Sequence, residues 1–179
     1  MKAYLTTIGE KTTDICKKQL ERYGFDVVLL KKQKNWIDKY IDFITVATED
    51  CLRIDADVIV NQNIKKVNTY ANSGEVLLVG FTLYDLYQNG LFLGSPVFYS
   101  TKALEIMKNH LDKINIDRPE ASMSRIPEIN PYYIVDSAIV GIHGFFQDKE
   151  TVLRAKENKI KRNQMYKYDF ELVNTLMNL

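Results

Sequence analysis

Through the first 60 residues, short apolar β-branched runs alternate with amphipathic stretches of helical period. That alternation commits the chain to a parallel sheet with helical crossovers, because parallel neighbours need a connection long enough to hold a helix. Ala3 to Thr7 reads as a buried strand. Thr12 or Thr13 can cap the helix that follows, whose Ile15, Cys16, Gln19, Leu20 and Tyr23 share one face. Gly24 stops that helix, and Phe25 to Leu30 is a second strand. Trp36, Ile37, Tyr40, Ile41, Ile44 and Ala47 recur at helical spacing before a third strand, Cys51 to Ile54.

The third strand runs into Leu52-Arg-Ile-Asp-Ala-Asp-Val-Ile-Val-Asn61, so Asp55 and Asp57 stand at its carboxyl end, where ligands sit in sheets of this kind. Two carboxylates one residue apart can approach one hard cation, and Mg²⁺ and Mn²⁺ favour such oxygen ligands while keeping room for water or phosphate oxygens. The apolar Leu52, Ile54, Val58 and Ile59 fix the backbone around them. A turn with two solvated acids is the simpler alternative for an isolated Asp-x-Asp.

The remaining chain is patterned differently. Val76 to Tyr84 and Leu91 to Tyr99 are apolar runs around a Gln88-Asn-Gly90 turn signal, which predicts a hairpin. Ser100 or Thr101 can cap a helix with Leu104, Met107 and Leu111 inside. Asn115 to Asn130, with Pro119 and Pro127, reads as a long polar loop. Tyr132 to Ile142 is strand-like and leads to His143, Lys149 to Arg162 is a charged helix, and Asp169 to Leu179 is an amphipathic one.

Bulk composition narrows the function classes. With 179 residues, 46% hydrophobic and 26% charged, the chain suits one soluble domain. Lys and Arg total 24 against 23 Asp and Glu, so bulk charge points to neither nucleic acid nor a membrane surface. Cys16 and Cys51 match no zinc or redox spacing and read as small core residues in a reducing compartment. No apolar stretch approaches the roughly 18 residues of a membrane span, and the start lacks the apolar core of a signal peptide. A cytoplasmic protein is the expectation.

The segment around Asp55-Ala56-Asp57 resembles the Asp-x-Asp motif of GT-A-type glycosyltransferases, and Asp-Ala-Asp-Val is similar to the form in the glycogenin-like group. The resemblance spans about the first 65 residues in order and returns around His143. It implies a GT-A-like (Rossmann-like) α/β fold: one domain over 1–179 with a mixed sheet flanked by helices, a nucleotide-binding half over about 1–65 and an acceptor-side half over about 66–179. It implies a metal-dependent glycosyltransferase moving a hexose from a nucleotide-sugar, UDP-sugars favoured, to a carbohydrate, lipid or protein acceptor. Asp55 and Asp57 would hold Mn²⁺ or Mg²⁺ with His143 as third ligand, and imidazole suits Mn²⁺ better. Lys39 lies where that group carries a donor-contacting lysine. Thr6 and Thr7 lie where its base and ribose dock, and Ala56 belongs to the same donor-binding segment.

Gly141 and Gly144 flank His143 and permit close approach of backbone to a ligand. An inverting enzyme needs a carboxylate base, for which Glu120 and Asp136 are the candidates, with Glu128 and Asp85 behind them. Tyr84, Tyr87, Phe92, Tyr132 and Tyr133 suit either sugar stacking or the core. The chain is short for that family and lacks its Asp-Gln-Asp. Two rivals remain: a nucleotidyltransferase of similar fold, for which Thr6-Thr-Ile-Gly-Glu-Lys11 is a poor glycine-rich basic loop, and a non-catalytic nucleotide-sugar-binding module. An aspartyl phosphatase would want its Asp-x-Asp after the first strand.

Overall fold

The structure is a computed structural model that describes residues 1–30, 36–71, 73–115, 117–145, 147 and 149–161. The expected helix over Asp169 to Leu179 lies outside the described residues.

The alternating first half folds as its pattern dictates. β1 (Lys2–Thr6), α1 (Thr13–Arg22), β2 (Asp26–Leu30), α2 (Trp36–Val46) and β3 (Cys51–Asp55) follow in order. β1 pairs in parallel with both β2 and β3. Because β1 lies between the other two, its crossovers lead to opposite sides, and the two helices cover opposite faces. Cys16 and Leu20 of α1 pack with Ala3, Leu5, Leu52 and Ile54, whereas Tyr40, Phe43 and Ile44 of α2 pack with Tyr4 and Cys51. Period-two alternation along β1 and β3 supplies each face with its own apolar set. Gly24, at φ +91°, ends α1 in the left-handed conformation that a side chain disfavours. Neither expected threonine caps α1 by its side chain: the Thr12 hydroxyl donates to the Ala56 carbonyl (2.5 Å) and Thr13 to the Glu10 carbonyl (2.6 Å). Both cysteines are fully buried and unbridged, and burial pushes their thiols well above the ordinary range.

Beyond β3 come β4 (Val58–Val60), β5 (Leu78–Asp85), β6 (Gly90–Tyr99) and β7 (Tyr133–His143), completing a sheet of order β2-β1-β3-β6-β5-β7-β4. The β5–β6 hairpin is as expected, with Asn89 at φ +50° in its turn. β3 and β4 lie four positions apart in this sheet, about 19 Å if it were flat. Yet only Ala56 and Asp57 join them, a reach of at most about 11 Å. The sheet must therefore curl, and the curl carries β7, the partner of β4, toward the carboxyl end of β3. This is the expected α/β mixed sheet flanked by helices. No helix among the described residues is long and apolar enough to cross a membrane.

α3 (Thr101–Lys108) is capped by Ser100, whose Oγ accepts from the Ala103 amide at 3.1 Å, and Leu104 and Met107 face inward. Ser100→Ala should cost about 1 kcal/mol. That corresponds to a melting point lower by roughly 2–4 °C in a chain of this size, to be read by calorimetry. The span expected to be a polar loop instead holds α4 (Pro119–Ser124), and Met123, Ile126 and Ile129 are buried beneath it. Their regular spacing within a polar stretch is a short helical cover for the α2 face of the sheet. α5 (Lys149–Lys161) follows β7.

Candidate functional site

The strand order reverses direction between β1 and β3, and the crevice outside their carboxyl ends is where ligands bind in open α/β sheets. Thr6 and Asp55 face each other there in register. Thr6 Oγ1 lies 2.7 Å from Asp55 Oδ1 and 3.2 Å from the Ile54 carbonyl. Arg53, two residues back and so on the same face of β3, places Nη2 2.9 Å from Asp55 Oδ1 and Nη1 2.9 Å from Glu120 Oε1 on α4. Its guanidinium also lies over the Tyr40 ring, 5.2 Å from the centroid. From α2, Lys39 Nζ is 3.7 Å from both Asp55 Oδ1 and Glu10 Oε1. Burial opposes ionisation of Asp55, but Arg53, Lys39, the Thr6 hydroxyl and His143 outweigh it and hold the carboxyl well below the usual range. Burial likewise opposes the charge on Arg53, and Asp55 and Glu120 more than restore it.

Asp57 lies in the turn at Ala56 and Asp57 that leads into β4. His143 pairs with Val58 across β4–β7 and with Asp85 across β5–β7. Its Nε2 is 3.0 Å from Asp57 Oδ2 and its Nδ1 3.3 Å from Asp85 Oδ2. Burial lowers its affinity for a proton, yet the two carboxylates prevail and the imidazole is pushed up to about 10. Near neutral pH it is therefore an imidazolium with two donors. Phe92 stacks on the ring, and Tyr87 meets it edge-on.

The expected donor-site residues divide accordingly. Asp57 and His143 meet, while Asp55 joins Thr6, Lys39 and Arg53. Among the described residues, no three His, Cys, Asp or Glu side chains converge as a ready metal site. Two observations nonetheless fit a divalent ion. Asp57 Oδ1 is buried with no hydrogen-bond partner among the described residues, an expensive state for a carboxylate oxygen. The two neighbouring clusters, close enough for His143 to act on Asp55, together set Glu10, Asp55, Asp57, Asp85 and Glu120 against Lys39, Arg53 and His143, a formal charge of −2 from five carboxylates minus three cations.

Other expectations need correction. Ala56 is fully buried with both backbone groups used internally, its amide by Thr6 and its carbonyl by Thr12, so it offers a ligand nothing. Glu120 reaches the site, but its carboxylate is paired with Arg53. Asp136 does not reach it. Seven residues before His143 on β7, it lies about 20 Å away along the strand, and it accepts from Tyr70 Oη (2.9 Å) and the Ala138 amide (2.8 Å) at the β7 irregularity. Glu128 sits 3.7 Å from His110 at the surface. Asp85 is no free base, since Oδ1 accepts from the Tyr87 and Gln88 amides and Oδ2 faces His143.

The glycines around His143 make room for protein, not ligand. A Cβ on Gly141 would lie 2.4 Å from the Ile59 carbonyl, and one on Gly144, at φ +83°, would lie 2.7 Å from Tyr87. Of the aromatics, Tyr87 is buried beside His143, Tyr132 is exposed, and Tyr133 packs on the core.

Arg53 and Glu10 went unnoticed in the sequence. Arg53 carried a readable signal, a lone charge inside a buried strand at the period-two position from Asp55. Glu10 carried none. The loop that holds Glu10 borders a cavity of about 420 Å³, walled by Thr7, Ile8, Glu10, Asp14 and Leu29 among others.

No protein-family model and no curated protein matches the chain. Solved structures do. A197 from STIV aligns over 83% of this chain and 87% of its own at 15% identity and TM-score 0.60. The 4-diphosphocytidyl-2C-methyl-D-erythritol synthase of Anaerococcus prevotii aligns over 87% and 94% at 10% identity and TM-score 0.53. The 2-C-methyl-D-erythritol 4-phosphate cytidylyltransferase of Francisella tularensis aligns over 88% and 100% at 12% identity and TM-score 0.52. At these identities the common property is architecture: the chain has the Rossmann-like mixed α/β fold found in nucleotidyltransferases.

Proposed function

We propose that this protein is a metal-dependent transferase acting on a nucleotide-activated substrate. The observation that carries the reading is the built cluster at the β1–β3 switch point: Asp55 held between Lys39 and Arg53, beside an Asp57 oxygen that is buried without a protein partner. Asp57 and Asp55 are the residues that would hold Mn²⁺ or Mg²⁺. A divalent ion there would supply charge neutralisation for a departing diphosphate or pyrophosphate. Lys39, 5% exposed and shared between two carboxylates, supplies a fixed positive charge toward the phosphates.

Two chemistries fit. Nucleotidyl transfer is supported by the solved neighbours, two of which carry cytidylyl-transfer names, and it has more support from them than does sugar transfer from a UDP-sugar. Sugar transfer from a nucleoside-diphosphate sugar is supported by the β1–α1 loop. That loop turns Glu10 inward onto Thr7, the Ile8 amide and Lys39, and a carboxylate there repels a triphosphate. Incubation with UDP-, GDP- and CDP-sugars, and separately with CTP or UTP plus a sugar phosphate, separates the chemistries: release of nucleoside diphosphate marks sugar transfer, and release of pyrophosphate marks nucleotidyl transfer. Absence of any thermal shift with every nucleotide tested, with Mn²⁺ or Mg²⁺ present, would sink both.

A further inference from the structure

The face of the sheet under α2 is covered only in part. α2, α3 and α4 pack on the stretch around Tyr4, Cys51, Leu78 and Tyr99. Farther along the hairpin the same face continues and is open. Thr82 and Tyr84 alternate with Phe81 and Leu83, which belong to the core under α1, so they point to the side of α2. Leu93 and Ile139 flank Thr82 in register, and Leu91 and Ile142 flank Tyr84, with Ile59 of β4 beyond Ile142. Along these rows Leu91 is 63% exposed, Leu93 45%, Ile139 42% and Ile142 38%. They form one apolar patch, not scattered surface residues, and an exposed patch of that kind marks a docking surface. It lies on the back of the hairpin that carries Asp85 and Phe92 to His143.

We propose that residues 169–179 of this same chain, which lie outside the described residues, dock on that patch as an amphipathic helix. At helical spacing, Phe170, Leu172, Val173, Leu176, Met177 and Leu179 fall on one half of the circumference, and Glu171, Asn174, Thr175 and Asn178 fall on the other. A helix of that length is about 16 Å long, and the patch crosses four strands, β6, β5, β7 and β4, over about 14 Å. Reach is sufficient. Residues 162–168 span up to about 24 Å. That returns the segment along α5, itself about 20 Å long, to the end of β7 from which α5 departs. A second copy fits the patch less well, because four half-exposed side chains offer well under the roughly 800 Å² per partner of a stable interface. Seated there, the segment braces the hairpin from behind and so steadies Asp85 against His143.

The test uses the full chain with Leu93→Cys as reporter, since Cys16 and Cys51 are fully buried and give no background. Reaction with a nitrobenzoate disulfide is timed in that chain and in the same chain carrying Leu176→Glu. The introduced thiol should be protected in the first, at a rate independent of protein concentration, and should react about tenfold or more faster in the second, where the cover opens. Equally fast reaction in both chains would show the patch bare and overturn the proposal. Equally slow reaction would assign another occupant, a second copy if the rate falls as protein concentration rises, and overturns it too. Should Leu176→Glu make Cys16 and Cys51 reactive, cross-linking decides instead. Leu93→Cys, combined in turn with Leu172→Cys, Val173→Cys, Leu176→Cys and Met177→Cys, should close an intramolecular disulfide with at least one of them. Combined with Asn174→Cys or Asn178→Cys, on the polar side, it should not. Bridging with all six alike, with none, or only between chains would overturn the assignment.

Discussion

Replacing Arg53 by Met should lower stability by about 3–5 kcal/mol, the cost of removing one partner from a buried ion pair. In a chain of this length that is a melting point lower by about 10 °C or more. Arg53 is 2% exposed and bridges Asp55 on its own strand to Glu120 on α4, with its guanidinium over Tyr40. Met preserves the apolar stem and removes only the bridge, which leaves buried Asp55 with Lys39, 3.7 Å away, and His143 as the cations still acting on it. Arg53→Lys should rescue little, because an ammonium cannot make two forked contacts at once. Glu120→Gln should cost far less, since the Glu120 side chain is 37% exposed and water can take its place.

The defect has a pH signature. A carboxyl whose folded affinity for protons is depressed, as that of Asp55 is, contributes stability above its unfolded value of about 3.9 and loses it as pH falls toward the folded value. Without Arg53, the strongest of the groups that oppose burial is gone, so the Asp55 carboxyl is depressed less. The gap between wild type and Arg53→Met should therefore narrow on acidification below about pH 5. Chemical denaturation at pH 7 and pH 4 measures it. A melting point within 2 °C of wild type at pH 7 would mean that the bridge contributes nothing net.

How much of this could be read beforehand follows from which contacts are local. The β1–α1–β2–α2–β3 unit was legible because each element buries one periodic face, and periodicity is written in consecutive residues. Asp55 and Asp57 were legible as a pair for the same reason. Their separation into two clusters was not, because it depends on the curl of the sheet and on β4 pairing with β7, a contact between residues about 80 apart in the chain. His143 was drawn to the neighbourhood of Asp57 by the sequence, but the carboxylates on both sides of it were not legible: Asp57 and Asp85, the latter from the hairpin, raise its affinity for a proton in the metal-free protein. Asp136 was assigned from its position before an apolar run. The strand proved too long for that, since β7 is eleven residues and its carboxyl end, not its start, reaches the site. α4 was missed because three apolar residues in a proline-bearing polar stretch are a weak helical signal.

The protonation of His143 determines what a metal titration should show. If Asp57 and His143 are to hold one ion together, Nε2 must first give up its proton, so binding releases a proton and affinity depends on pH. With the free imidazole pushed up to about 10, Mn²⁺ affinity should rise about tenfold per pH unit between pH 6.5 and pH 9. Proton release should be visible as a buffer-dependent enthalpy in calorimetry. His143→Gln should abolish the pH dependence while retaining a weaker metal site on the carboxylates, and Asp57→Asn should remove most of the affinity at every pH. A flat profile in the wild type would instead show that His143 stays an imidazolium and only orients Asp57 toward the ion. The same proton has an opposite consequence without metal. A group whose folded value is raised stabilises fully below its unfolded value of about 6.5, and that contribution drains away as pH climbs toward 10. The metal-free protein should therefore lose stability from pH 7 to pH 9.5, while the metal-loaded protein, its proton already gone, should lose markedly less. Melting curves with Mn²⁺ and with a chelator across that interval should cross or converge on the acid side and separate on the alkaline side. Parallel curves would place the ion away from His143.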